Sequence, residues 1–214
     1  MALSGYFKSQ VFKHYVQYHH IKMDSLKNVL QMVKPGCFLA SIDLKNAYYY
    51  SVPIATADQK YLKFQWRGKL YKYLCFPNVL AFCPRKFTKL LKPLHLRLRQ
   101  LGHLSASHID DSYLQGDDYD DCERNVKDTV KIFDSLGFTV RPEKSSFVPI
   151  QRVTFMGFII DPITMTVYPT SEKIEKIIQT CQGLLECPHP TVREVASIFA
   201  HIKFSSSKAR AFAF

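Results

Sequence analysis

The feature that most constrains the fold is the alternation of element types along the middle of the chain. Residues 37–43 (CFLASID) form an apolar run of strand length, apolar enough to be buried on both faces. A helical pattern follows Pro84, with Phe87, Leu90, Leu91 and Leu94 on one face, and Pro93 is expected to kink or break it. Residues 104–109 and 112–115 flank Asp110-Asp111, which predicts a tight hairpin with two acids at its tip. A second helix is expected from about Asp120, carrying Val126, Val130 and Phe133 and stopped by Gly137. Strands follow at 146–150, 153–161 and 166–168, with Pro162 starting the last turn. Strand, helix, hairpin, helix, strand is the order of a split β-α-β, ferredoxin-like sheet of the α+β class. That order alone names no function.

The flanks are less regular. Asp24 can cap a helix carrying Leu26, Val29, Leu30 and Val33, ended by Pro35-Gly36. Residues 61–66 and 70–76 read as strands joined across Arg67-Gly68-Lys69. Two helices, 171–186 and 191–202, are expected to close the chain. The 214 residues, 47% of them apolar, suit one domain or one domain plus part of a second. No window approaches the roughly 18 apolar residues of a membrane span, and no secretory signal is visible at the start. Six cysteines at irregular spacing, without CxxC, favour free thiols and an intracellular, non-secreted protein.

Charge is distributed unevenly. Lys and Arg total 29 against 18 acids, yet residues 110–123 hold seven acids and no base. The rest of the chain therefore carries 29 bases and 11 acids. A basic body with one acidic island points to a polyanion partner and a cation site. Asp43 ends one predicted strand, and Asp110 and Asp111 lie at the hairpin tip. In a split β-α-β sheet the first and central strands are neighbours, so the three carboxylates can meet. Burial and mutual repulsion would raise their pKa values, and a divalent cation would remove that cost. Such a site serves in-line phosphoryl transfer with two metals. Either motif alone also fits aspartates in ordinary turns. Asp117, Asp118, Asp120, Asp121 and Glu123 are expected to serve the N-terminus of the following helix.

The two motifs together, 67 residues apart, resemble the palm of a reverse transcriptase, particularly that of DIRS-like, tyrosine-recombinase retrotransposons. The similarity runs over roughly residues 20–205. It is carried by YHHIKMDSLKNVL, FLASIDLKNAYYYSVPI, KYLKFQWRGKLYKYLCFPNVLAFCPRKFTKLLKP, LRQLGHLSASHIDDSYLQG, LGFTVRPEKSSFVPIQRVTFMGFIID and REVASIFAHI. The resemblance implies an RNA-directed DNA polymerase, with RNA or DNA template, primer and dNTPs as partners, no membrane, and two magnesium ions, for which manganese could substitute. DLKNAYY is similar to the first metal motif, so Asp43 would bind both ions and the Leu44 carbonyl would help. Backbone N–H groups near Lys45, Asn46 and Ala47 would face the triphosphate. Tyr48 would exclude a 2′-hydroxyl by bulk, with ordinary packing as its other reading. HIDD looks like the YxDD box, making Asp110 the second main metal ligand and Asp111 its partner. Pro77 would fix the turn under the incoming nucleotide, and Asn78 would be the polar contact there. Lys144 would stand near the triphosphate as proton donor to pyrophosphate, or else be a solvated surface lysine. Phe155, Met156, Gly157 and Phe158 resemble the primer grip, though their aromatic content also fits plain sheet packing.

By the same resemblance, residues 1–36 would be a remnant of fingers. Residues 37–168 would be palm with an inserted fingers hairpin at about 55–80, and 169–214 the start of a helical thumb. Both ends read as those of a polyprotein fragment or of a decayed copy. Three positions depart from the family pattern: His108 replaces tyrosine, Asn46 replaces aspartate, and Val79 replaces glycine. The first two are tolerable. Val79 puts β-branched bulk where the nucleotide needs a close, free backbone, which predicts impaired polymerisation. The rival reading is a catalytically inactive nucleic-acid-binding palm. A carboxylate-metal nuclease is disfavoured, because DLKNAYY and FMGF would have no role in it.

Overall fold

The computed structural model describes residues 23–45, 52–77, 80, 83–192 and 195–196. Its centre is a four-stranded antiparallel sheet. The strands are β1 (Phe38–Asp43), β4 (Leu104–His108), β5 (Asp111–Gly116) and β6 (Ser146–Ile150), in the order β4-β5-β1-β6. This is the split β-α-β order expected, with the first and central strands adjacent. β1 is buried on both faces, as its composition predicts. Ala40 and Ile42 join Leu114 in one core, while Leu39 joins Ala106 and Tyr113 in another.

Two helices cover the first face. Helix α2 (Cys83–Gln100) contributes Phe87, Leu91, Leu94 and Leu98, and α3 (Tyr119–Ser135) contributes Cys122, Val126 and Phe133. Pro93 does not break α2, so of the expected kink or break the break is absent. Leu91 precedes it and Leu94 and Leu98 follow it into the same core, so shared packing outweighs the roughly 3 kcal/mol cost of an interior proline. Leu90, expected on that face, is exposed. Helix α3 starts one residue earlier than predicted. Its N-cap is Asp118, whose carboxylate accepts the Asp121 amide at 2.8 Å, with Asp120 and Asp121 in the first turn. Gly137, at φ +76°, ends it as predicted.

On the second face lie α1 (Leu26–Leu30) and a small sheet of β7 (Val153–Phe155), β8 (Phe158–Asp161) and β9 (Thr166–Pro169). The cap of α1 is Ser25 rather than Asp24. Asp24 is used elsewhere: its carboxylate takes the Ser107 amide at 3.2 Å, and its carbonyl accepts from His108 Nδ1 at 3.1 Å. Residues 153–161 are not one strand but a hairpin. Met156 and Gly157 turn the chain with φ of +53° and +74°. The hairpin of β2 (Lys63–Trp66) and β3 (Lys69–Lys72) turns on Arg67-Gly68, both at positive φ, and ends earlier than predicted. Helix α4 (Ser171–Glu186) agrees with expectation. The helix expected at 191–202 falls mostly outside the described residues.

The end of β5 passes so close to α3 that a Cβ on Gly116 would run into the backbone of Cys122. Since backbone cannot step aside as a side chain can, Gly116→Ala should destabilise the protein by about 1–3 kcal/mol, measured as a lower urea midpoint. An unchanged midpoint would contradict this packing.

Candidate functional site

Antiparallel pairing places Asp43 directly opposite Asp111, and Asp111 opposite His108. Only Ile109 and Asp110 remain to make the turn between β4 and β5. Ile109 takes φ +59°, a left-handed conformation that is costly for a β-branched residue. The turn is held from outside, because the Leu44 amide donates to the Asp110 carbonyl at 2.9 Å. Leu44 itself has a buried side chain and bridges to Val140.

The end of β1 is also fastened to the segment before β6. The Asp43 amide donates to Ser145 Oγ at 3.0 Å, Ser145 Oγ donates to the Arg141 carbonyl at 2.7 Å, and the Arg141 amide donates to the Asp43 carbonyl at 2.8 Å. Arg141 Nη1 lies 3.2 Å from Asp43 Oδ1. The two are close enough for an ion pair, but the guanidinium N–H is poorly aligned. Oδ1 is buried and accepts no hydrogen bond from any described residue. Asp111 Oδ2 receives one long contact, 3.4 Å, from the Met156 amide.

Asp43 and Asp111 line one open cavity of about 490 Å³, together with Lys144, Met156 and Gly157. Burial pushes both carboxyls above the ordinary value. For Asp43, Arg141 opposes the shift and the charge of Asp110 adds to it. Asp111 is pushed up to about 7, mainly by burial; the Met156 amide opposes, and Asp43 and Asp110 reinforce. These are carboxylates short of positive charge. Among the described residues, no three of His, Cys, Asp or Glu stand close enough to hold a metal ion by themselves. Of the three acids expected to meet, Asp43 and Asp111 do. Asp110 sits on the turn and does not line the cavity, though its charge is felt by both. Two carboxylates, one of them with an orphaned buried oxygen, still suit a hard cation that keeps waters and takes its other ligands from a substrate phosphate.

The remaining expected site residues divide clearly. Lys144 faces the cavity. The Lys45 amide is not free for a triphosphate, since it donates to the Thr139 carbonyl at 2.7 Å where the chain continues past β1. Pro77 is buried and its carbonyl accepts from the Leu80 amide, so it shapes a turn away from the cavity. Asn46, Ala47, Tyr48, Asn78 and Val79 lie outside the described residues. In the grip-like stretch, Phe155 and Phe158 are core residues, Phe155 packing edge-on against Tyr113, while Met156 and Gly157 reach the cavity. That turn is braced by α4: Lys173 Nζ donates to the Met156 carbonyl at 3.1 Å and stands 3.8 Å over the Phe158 ring. Arg141, Ser145 and Lys173 were not singled out from sequence. Arg141 and Ser145 flank PEK, the segment containing Lys144, and only adjacency marked them.

A four-stranded antiparallel sheet with helices on one face and paired acids at a strand end and its facing hairpin defines a polymerase-type palm. Residues 5–160 match the family model described as reverse transcriptase (RNA-dependent DNA polymerase), and the chain belongs to that family. It is 24% identical over 178 residues to the Gag-Pol polyproteins of Rous sarcoma virus subgroup B (strain Schmidt-Ruppin) and avian leukosis virus subgroup A (isolate RSA). Each match covers 73% of this chain and 11% of the polyprotein, so the chain spans about a ninth of those relatives. Among solved structures, the foamy viral protease-reverse transcriptase dRH in complex with double-stranded DNA superposes with a TM-score of 0.70 at 22% identity. That match covers 92% of this chain and 32% of the other. The foamy viral enzyme in complex with an RNA/DNA hybrid gives 0.61 at 24% identity, covering 86% and 23%.

The raised Asp111 value has a thermodynamic consequence. Between the ordinary 3.8 and about 7, the folded chain binds more protons at this site than the unfolded chain. Stability from this group is therefore full below the lower value and is lost as pH rises toward 7. In EDTA, the urea midpoint of the wild type should fall over that range relative to Asp111→Asn. Parallel pH curves for the two proteins would contradict the assignment.

Proposed function

We propose that this chain is the nucleotidyl-transfer unit of a retrotransposon reverse transcriptase of the DIRS-like type, extending a primer 3′-hydroxyl along an RNA or DNA template. One observation carries the reading: β1–β5 pairing sets Asp43 against Asp111 in a cavity shared with Lys144 and the Met156-Gly157 turn. Asp43 and Asp111 would hold magnesium, with Asp110 and the Leu44 carbonyl beside them. Two such ions would supply charge neutralisation at the primer oxygen and the departing pyrophosphate. Lys144, at the cavity wall, is suited to give a proton to that pyrophosphate. Met156 and Gly157 present backbone to the cavity and would seat the primer end. Asn46, Ala47, Tyr48 and Asn78 belong to the nucleotide side of the site by family resemblance.

In this reading, residues 1–36 are a fingers remnant, 37–168 the palm with its inserted hairpin, and 169–214 the start of the thumb. The basic surface outside 110–123 would hold the phosphate backbone, so binding should weaken steeply with salt. All six cysteines are free, which supports an intracellular setting. The solved relatives bound to double-stranded DNA and to an RNA/DNA hybrid support duplex binding here. Val79, where the family has glycine, favours a second reading: a palm that binds duplex and extends poorly or not at all.

Primer extension separates the two. Catalysis requires magnesium-dependent nucleotide incorporation, lost about 100-fold or more in Asp43→Asn and Asp111→Asn while duplex binding persists. Val79→Gly should extend faster than wild type; equal rates would remove the objection to Val79. Salt-sensitive binding with no incorporation under any metal, in both forms, would establish the binding module instead.

A further inference from the structure

Arg141 brings a positive charge into the carboxylate site that none of the roles above uses. Its backbone is tied to that of Asp43 from both sides, by its own amide and through Ser145 Oγ. The guanidinium therefore starts from a fixed point beside Asp43. Both side chains are largely buried, and Nη1 stands 3.2 Å from Oδ1, the orphaned oxygen. On its other side, Arg141 Nε is 3.8 Å from Oε1 of Glu143, which is exposed. One guanidinium thus spans two carboxylates, one inside the cavity and one at its edge. A divalent ion on Oδ1 and a guanidinium at 3.2 Å from the same oxygen repel each other and crowd the same space.

We propose that Arg141 is a resident counter-cation that a divalent ion must displace from Asp43, and that Glu143 receives the displaced guanidinium. The device rests on the reading of Asp43 as a metal ligand. It compensates the buried carboxylate in part and sets the affinity for metal below what the two aspartates would give alone. Loading is then coupled to a side-chain movement of a few ångströms. The exposed Glu143 carboxylate is a weaker partner, which leaves the forked guanidinium donors available at the cavity edge.

Binding of manganese, followed by the electron paramagnetic resonance of free ion without nucleotide, tests this. Arg141→Gln should bind about tenfold more tightly than wild type at low salt. Glu143→Gln should bind more weakly, and that loss should shrink in the Arg141→Gln/Glu143→Gln double variant, because Glu143 then has no guanidinium to receive. A Glu143→Gln effect of the same size with and without Arg141 would reduce it to a general field effect and overturn the relay. Arg141→Gln binding no tighter than wild type, with Asp43→Asn still abolishing binding, would overturn the proposal and leave the metal site standing. Asp43→Asn binding like wild type would instead refute the metal site, and the proposal with it. In the wild type, the Arg141 Nε–Hε resonance should move on adding magnesium with the same half-saturation as metal binding. A resonance that stays in place overturns the displacement without reliance on any variant.

Discussion

The pairing of β1 with β5 is the interaction on which the rest of the structure depends. Six consecutive residue pairs, from Phe38↔Gly116 to Asp43↔Asp111, set the register. Because strand side chains alternate in facing, a slip of one residue would exchange the two cores and separate the acids. The register is specified at both ends. At one, Gly116 lets α3 approach β5 backbone to backbone. At the other, the Leu44 amide fastens the Ile109-Asp110 turn. Inside, the Tyr113 hydroxyl donates to Gln115 Oε1, and Gln115 Nε2 donates on to the Met32 carbonyl, so this alignment pairs both of these buried side chains.

The electrostatics of the site follow from that geometry. Two carboxylates at facing strand ends cannot both be well solvated, and a third acid on the turn raises their cost. The chain meets part of that cost with weak or misaligned donors: a 3.4 Å amide contact at Asp111 and an unaligned guanidinium at Asp43. A fully hydrogen-bonded pair would be more stable and chemically idle. Under the proposed function, incomplete compensation would leave room for a hard cation and for phosphate oxygens at the cavity mouth.

Much of this was legible in sequence because the signals were local. The run CFLASID, the hairpin around Asp110-Asp111 and the acid-rich start of α3 each act within a few residues, and the split β-α-β order follows from them. The break at Pro93 is absent and Leu90 is exposed because tertiary packing along α2 overrides local preference. The 153–161 hairpin was read as one strand because Met156 adopts positive φ, which nothing in its side chain signals. The division of labour among the acids was hidden for a different reason. Which of Asp110 and Asp111 faces Asp43 depends on where a two-residue turn begins, and Ile109 at φ +59° is an unexpected residue to begin one. Arg141 and Lys173 act across the fold, and long-range contacts of that kind leave no local periodicity.

The central claim is that the β1–β5 register builds a cation site from Asp43 and Asp111. Its most direct test is anomalous diffraction from crystals of the protein soaked in manganese. The account predicts a peak in the cavity between the two carboxylates, bounded by Lys144 and the Met156-Gly157 turn. Manganese bound elsewhere with that cavity empty, or Asp43 and Asp111 out of register, would contradict it.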